Sequence, residues 1–146
     1  MSVLLYEKRD QVAYITLNRP DSLNAYNDEL VEALGDALVD YRDDSSLLVA
    51  IMTGAGRAFS VGADLKEMTA QGQPAGTRAL RTPSREEVWK PIIAAIDGYA
   101  LAGGFAMALE CDIRIATERS KLGDVTTRVG AWGPLRVYNK MPFGEA

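Results

Sequence analysis

Residues 91–112, PIIAAIDGYALAGGFAMALECD, contain a strand pattern, a glycine turn and a helix pattern in immediate succession. Ile92–Ile96 is a short continuous apolar run, which is typical of a strand buried on both faces. Gly103 and Gly104 then precede a small-residue helical pattern that ends near Cys111. A helix that starts at such a turn presents unpaired backbone N–H groups, which suit an oxygen that carries or develops negative charge. Alternatively, the glycines only allow the helix to pack closely on a sheet.

Length and composition indicate one globular domain. The chain has 146 residues, of which 47% are hydrophobic and 25% are charged, and this balance is typical of a folded core. No apolar run approaches the ~20 residues that span a bilayer. The first residues, MSVLLYEKRDQ, lack the basic segment and long apolar core of a secretory signal. We therefore expect a cytoplasmic protein without a membrane segment.

The charged and reactive residues exclude several classes of chemistry. The net charge is −4 and no basic stripe follows any predicted element, so a nucleic-acid partner is not expected. The chain has no histidine, which excludes a Ser-His-Asp triad, a Cys-His pair and histidine-based metal sites. Its single cysteine, Cys111, cannot form an internal disulfide and is predicted to be a small core residue. Acid–base chemistry must therefore come from carboxylates, tyrosines, lysines or water.

The rest of the chain alternates between strand patterns and helix patterns. Strands are predicted at 3–6, 12–17, 47–52, 113–116 and 121–123, and helices at 28–41, 65–68 and 84–90. Residues 69–83 have no clear period and are predicted to form a surface loop. This alternation predicts an α/β fold with a largely parallel sheet.

Two glycine-containing turns, at 60–64 and at 100–104, each end a strand region and open a helix. Right-handed crossovers place such strand ends along one edge of a parallel sheet. We therefore expect N–H groups from the two turns to converge on a pocket for one polarised oxygen.

Four sequence blocks occur in order: LNRPDSLNA at 17–25, LVAIMTG at 48–54, RAFSVGADLKEM at 57–68, and residues 91–116, which end in CDIRIA. With these blocks the chain resembles the crotonase superfamily, the enoyl-CoA hydratase/isomerase family, over roughly residues 3–130. The resemblance implies a crotonase-like ββα-repeat core with a largely parallel sheet at 1–130. The tail at 131–146 diverges, and the chain resembles a member shortened at its C-terminus, without the family's C-terminal helical part.

The resemblance also implies a function. Family members bind an acyl-CoA thioester and stabilise its enolate with two backbone N–H groups, which here fall on Ala63 and Gly103. Such chemistry serves lyases and isomerases of fatty-acid or acyl-CoA metabolism. Coenzyme A enters as part of the substrate, no tightly bound cofactor or metal is implied, and a homo-oligomer, trimer or hexamer, is expected. The implied substrate contacts are Leu23, Ala25, Asp64, Lys66, Leu101 and Gly104, with Lys66 close enough to pair with a CoA phosphate, as Arg19 or Arg57 could be.

The chain departs from the family's hydratases at both acid–base positions. The resemblance places two glutamates at positions 106 and 126, where this chain has Ala106 and Thr126. Asp124 would share a strand face with Thr126 and is the candidate substitute, whereas Glu110 lies one helical turn beyond Ala106 and is expected to be structural. Two functions stay open: an enzyme, or a catalytically dead acyl-CoA-binding or assembly subunit. A dinucleotide-binding domain is excluded because the glycines do not form G-x-G-x-x-G.

Overall fold

The computed structural model describes residues 2–72 and 79–126. The elements in chain order are β1 (Leu4–Arg9), β2 (Val12–Leu17), a short 3-10 helix (Pro20–Ser22), α1 (Asp28–Asp43), β3 (Val49–Gly54), β4 (Ala58–Ser60), α2 (Leu65–Ala70), β5 (Ile92–Ile96), β6 (Tyr99–Leu101), α3 (Gly103–Glu110), β7 (Ile113–Ala116) and β8 (Lys121–Gly123). The predicted tail at 131–146 and the last residues of the predicted core, 127–130, lie outside the described residues.

The larger of two sheets has the strand order β1-β2-β3-β5-β7. Strand β1 pairs antiparallel with β2, and every other pairing in this sheet is parallel. Ile15, Met52 and Ala94 lie opposite one another on neighbouring strands, and all three are fully buried. The predicted α/β fold with a largely parallel sheet is therefore confirmed.

The smaller sheet consists of β4, β6 and β8, which are all parallel. Strand β6 lies in the middle and pairs Leu101 with Gly123 of β8. Because parallel strands end at the same edge, the segments that follow β4, β6 and β8 leave the sheet side by side. These segments contain Ala63, Gly103 and Asp124 in turn.

Helix α1 packs its apolar face on the larger sheet. Leu30, Leu34 and Leu38 recur at helical spacing and are almost completely buried. The Asn27 side chain accepts a hydrogen bond from the Leu30 N–H and caps the helix, as sequence spacing predicts. At the other end the Lys90 ammonium donates to backbone carbonyls at 41 and 44, at 2.6 and 2.7 Å. These contacts tie the helix end to the segment that leads into β5.

Strand β7 is exposed along its length. Ile113 is 52% and Ile115 is 61% exposed, and within the described residues β7 pairs only with β5. Two large apolar side chains are therefore uncovered at this edge of the sheet.

The predicted helix at 84–90 is wrong, because these residues form an isolated turn. The N–H groups of Arg85 and Glu86 both donate to the Thr82 carbonyl at 3.0 Å, so the turn begins two residues before the predicted cap. Glu87 then adopts a positive φ of 54°, which ends any right-handed helix.

Candidate functional site

The turns after β4 and β6 touch each other at Gly62 and Gly103. A Cβ built on Gly62 would lie 2.8 Å from the Gly103 nitrogen and 3.1 Å from the Ala102 Cβ. A Cβ built on Gly103 would lie 3.4 Å from the Gly62 Cα. Gly62 also has a φ of +91°, which glycine adopts without strain. The two predicted turns are therefore brought together, with their main chains in direct contact.

The backbone around Ala63 is fixed by pairing with Tyr26. The Tyr26 N–H donates to the Gly62 carbonyl at 2.7 Å, and the Asp64 N–H donates to the Tyr26 carbonyl at 3.0 Å. In this parallel pairing the amide of the middle residue points away from its partner. The Ala63 N–H is thus directed away from Tyr26, and it donates no hydrogen bond to any residue in 2–72 or 79–126.

Gly103 is the first residue of α3, so its N–H has no acceptor within the helix. It likewise makes no hydrogen bond with the described part of the chain. The first intrahelical bond runs from the Ala106 N–H to the Ala102 carbonyl at 3.0 Å. The helix dipole adds positive potential at this end. Two main-chain donors without an acceptor among the described residues therefore lie on two contacting turns, and each can donate to an anionic or polarised oxygen.

Asp124 follows β8 and stands beside the start of α3. The Ala102 N–H donates to the Gly123 carbonyl at 3.0 Å, which fixes the chain just before Asp124. One carboxylate oxygen, Oδ1, accepts from the Thr126 N–H at 3.0 Å and from its hydroxyl at 2.6 Å. The other, Oδ2, is buried and has no hydrogen-bond partner among the described residues. A buried carboxylate oxygen without a donor is costly, so it marks a place where a hydrogen-bond donor of a ligand would be stabilised.

The two positions of the family's glutamates lie at this edge without an acid. Ala106 occupies the first turn of α3 and is half-buried. Thr126 holds its hydroxyl against Asp124. Glu110 is the last residue of α3, a full turn beyond Ala106.

Asp64 and Arg19 form a half-buried ion pair next to these turns. The Arg19 Nη2 lies 3.0 Å from the Asp64 Oδ2, with the two side chains 19% and 14% exposed. Asp64 also caps α2 by accepting from the Glu67 N–H at 3.3 Å. Burial raises the pKa of the Asp64 carboxyl, but Arg19 and the backbone N–H groups of α2 outweigh it and hold the pKa below its ordinary value. Asp64 is therefore an anion that fixes the turn to the segment around Arg19.

Replacing Asp64 with asparagine is expected to cost about 1–3 kcal/mol of unfolding free energy at pH 7, because the charge is lost while the cap is kept. Since the folded-state pKa is lowered, the carboxylate stabilises the fold above its ordinary pKa, and this contribution disappears as the pH falls below it. Urea unfolding of wild type and Asp64→Asn at pH 7 and pH 3 measures the difference. Substitution of the exposed Asp21 in Asp21→Asn serves as the control. If the unfolding free energies of wild type and Asp64→Asn differed by the same amount at pH 7 and pH 3, the stabilising role of the Asp64 charge would be contradicted.

The other predicted substrate residues lie around the same turns. The Leu23 carbonyl accepts from the Val61 N–H at 3.2 Å, and the Ala25 carbonyl accepts from the Arg19 guanidinium. Lys66 is exposed at the start of α2 and makes no ion pair with the described residues. Leu101 ends β6, and its carbonyl oxygen lies 3.3 Å from a Cβ built on Gly62.

Gly104 and Arg57 complete the predicted set. Gly104 is buried against β4, where any side chain would overlap the Ser60 carbonyl, so this glycine allows α3 to approach the sheet. Arg57 is exposed in the turn before β4. Of the two interpretations given for the Gly103-Gly104 pair, close packing of helix and sheet applies to Gly104, and the role of the Gly103 N–H as a donor stays a prediction.

Sequence reasoning missed two buried residues that position the site. Asn24 is fully buried and accepts from the Arg19 N–H at 2.8 Å, while its amide donates to the carbonyls of Ala55 and Ala58 at 3.0 and 2.7 Å. Tyr26 is also fully buried, and burial raises the pKa of its phenol. The sequence signal for Asn24 is its place in the polar connection after β2, because asparagine often organises turns. Its positive φ in the structure agrees with this role. Tyr26 carried no such signal.

Residues 2–72 and 79–126 contain neither a metal-binding cluster nor a membrane-spanning helix. No group of three or more cysteine, aspartate and glutamate side chains there could hold a metal ion. None of the helices in that part of the chain has the length and apolar character needed to cross a membrane.

The fold and the paired turns define an α/β protein whose parallel strands end in main-chain donors. A sequence model of the family described as "Enoyl-CoA hydratase/isomerase" matches residues 7–144. This chain belongs to that family. It is 38% identical over 133 residues to "Short-chain-enoyl-CoA hydratase" of Clostridium acetobutylicum, a match that covers 87% of this chain and 51% of the relative. It is 36% identical over 141 residues to "(E)-benzylidenesuccinyl-CoA hydratase" of Thauera aromatica, covering 93% and 55%.

Solved structures agree with this membership. A "probable enoyl-CoA hydratase/isomerase" from Mycobacterium abscessus superposes with a TM-score of 0.85 at 36% identity, over 98% of this chain and 58% of that one. The chain thus spans about half the length of the curated relatives it matches.

Proposed function

We propose that this chain provides an acyl-CoA-binding core in which the backbone N–H groups of Ala63 and Gly103 form an oxyanion hole for lyase or isomerase chemistry. The observation that carries the proposal is the contact of Gly62 with Gly103, which brings two N–H groups without acceptors among the described residues onto adjoining turns. Membership of the enoyl-CoA hydratase/isomerase family supports an acyl-CoA thioester as the ligand.

In this proposal the thioester carbonyl oxygen accepts both hydrogen bonds. Negative charge grows on that oxygen as the enolate forms, so donors aimed at it stabilise the transition state more than the substrate. The isolated bridge to Tyr26 holds Ala63, and the helix start holds Gly103, so neither donor has to reorganise during the reaction. One such donor typically contributes about 3–4 kcal/mol.

Asp124 is the proposed proton carrier. Its buried Oδ2 has no donor among the described residues, and the chain before it is paired with the residue preceding Gly103. The substrate brings its own coenzyme A, and Lys66 is the proposed contact for a CoA phosphate, since it is exposed and makes no ion pair with the described residues.

A second candidate function is acyl-CoA binding without turnover. Ala106 and Thr126 favour it, because neither can move a proton as a glutamate does. The two candidates share the ligand and differ only in whether Asp124 acts.

We expect the purified chain to consume crotonyl-CoA, seen as loss of the conjugated enone absorbance, and Asp124→Asn to lower the rate at least ~100-fold. Calorimetric titration with butyryl-CoA should give the same affinity for both proteins, because the amides are untouched. Asp10→Asn, an exposed turn residue remote from the site, is the matched control.

Binding by the wild type with no turnover of any enoyl-CoA would select the second candidate. Equal rates in wild type and Asp124→Asn would remove Asp124 from the mechanism. An affinity for butyryl-CoA no tighter than that for free CoA would contradict both candidates, because neither N–H group would then engage the thioester.

A further inference from the structure

Leu80 stands at the point where the two turns meet. Its Cδ1 lies 3.4 Å from a Cβ built on Gly103, the same distance as the Gly62 Cα. The side chain is half-buried and packs against the hydrophobic core, so part of it remains exposed beside the turns. Among the described residues outside the turns, Leu80 is thus the side chain nearest to this point, and the buried ring of Tyr26 follows at 3.8 Å.

Arg81 fixes this segment of chain on α1. Its guanidinium forms two bonds to the Glu86 carboxylate, at 2.9 and 3.1 Å, and its Nη1 lies 2.9 Å from Asp36 and 3.2 Å from Glu32. Paired bonds from one guanidinium to one carboxylate set direction as well as distance. The paired bonds orient Arg81 within its own segment, and the single bonds from Nη1 to Asp36 and Glu32 connect that segment to α1.

Gly35 makes this arrangement possible. A Cβ at this position of α1 would overlap the Arg81 guanidinium. A glycine inside a helix is unfavourable by itself, so its presence here matches the need for Arg81 to cross the helix surface closely. The position of Leu80 is thus determined by contacts on a helix 45 residues earlier in the chain.

Discrimination between acyl groups needs side chains, because main-chain amides treat all thioesters alike. The two relatives named above differ in their acyl group, one being a short-chain enoyl-CoA hydratase and the other a benzylidenesuccinyl-CoA hydratase. An oxygen bound to the Gly103 N–H would lie ~2.9 Å from the nitrogen. The carbons attached to such a carbonyl would lie at the junction of the two turns, which the Leu80 methyl group borders.

We propose that Leu80, held in place by Arg81 on α1, contacts the first carbons of the acyl group and sets which acyl groups this chain accepts. The inference rests on the function proposed above. A leucine at this place favours short unbranched acyl groups, because it fills the volume that a longer or branched group would need.

The test is a calorimetric titration of wild type, Leu80→Ala and Leu80→Phe with free CoA, butyryl-CoA and octanoyl-CoA. In Leu80→Ala the ratio of octanoyl-CoA affinity to butyryl-CoA affinity is expected to rise roughly tenfold, since several buried carbons are removed. In Leu80→Phe the ratio should fall by a similar factor. Free CoA should bind all three proteins equally. Leu48→Ala, which removes an exposed leucine just before β3 at the opposite end of the sheet, is the control and should leave the ratio unchanged.

Two further results bear on the inference. Arg81→Gln should shift the same ratio toward octanoyl-CoA, and an unchanged ratio there would overturn the role given to Arg81. If the Leu80 variants changed the affinities for free CoA and for both acyl-CoAs by the same factor, the role given to Leu80 would be overturned. If wild type binds acyl-CoA no more tightly than free CoA, the proposed function itself fails and this inference falls with it. Thermal unfolding of each variant establishes that it is folded.

Discussion

Replacing Gly62 with alanine is expected to abolish the preference for acyl-CoA over free CoA and to lower any crotonyl-CoA turnover ~10²–10³-fold. The new methyl group would lie 2.8 Å from the Gly103 nitrogen, so the turns must separate or the N–H must be covered. Alanine at a φ of +91° also strains the backbone, which is expected to cost about 1–3 kcal/mol of unfolding free energy.

Gly72→Ala separates the two effects. Gly72 has a φ of +68°, but a Cβ there would meet no atom of the described residues within 4 Å. This variant therefore carries the backbone strain without the collision and should keep wild-type binding. Urea unfolding of both variants measures the loss of unfolding free energy caused by the backbone strain. Titration with butyryl-CoA and with free CoA measures the effect on ligand affinity. Wild-type discrimination in Gly62→Ala would show that the contact between the turns is irrelevant to binding.

The second large effect is expected for Asn24→Ala, which should lower the unfolding free energy by roughly 3–5 kcal/mol. The substitution leaves the Arg19 N–H and the carbonyls of Ala55 and Ala58 without their partner inside the protein. Alanine is also less suited than asparagine to the φ of +55° at this position. Because Tyr26 follows two residues later and pairs with the turn at Ala63, acyl-CoA affinity should fall together with stability.

Equilibrium unfolding in urea measures this loss, with Asn18→Ala as the matched control. The Asn18 amide donates to the Ser2 carbonyl at an exposed site, so its removal should cost less than ~1 kcal/mol. Equal unfolding midpoints for Asn24→Ala and Asn18→Ala would mean that the buried hydrogen bonds contribute no net stability.

Long periodic elements were predictable from sequence, and short ones were not. The Ile92–Ile96 run coincides with β5, and the helix predicted at 28–41 is found at Asp28–Asp43. The strand predicted at 47–52 begins two residues later, because Leu47 is buried in the core without pairing. Strands β4 and β6 have three residues each, too few to show an alternation, so the second sheet was not foreseen.

Part of the candidate site was likewise predictable from sequence, and part was not. The glycine turns at 60–64 and 100–104 were visible because glycine marks them, and their meeting followed from the topology of parallel strands. The partners of these turns could not be read from sequence. Arg19 meets Asp64 across 45 residues, and Leu80 reaches Gly103 through contacts of its neighbour with α1. Such contacts depend on how elements pack, which local patterns do not encode.

Strand β6 hydrogen-bonds on one side to β4 and on the other to β8. The spacing between residues 63 and 124 therefore depends on two ladders that share a middle strand. A bulkier residue at Ala100, which is fully buried in β6, would displace both neighbours at once. If the proposed function holds, carbonyl polarisation at Ala63 and proton transfer at Asp124 would then be impaired together, so kinetic changes caused by such a variant would not separate into a binding defect and a chemical one.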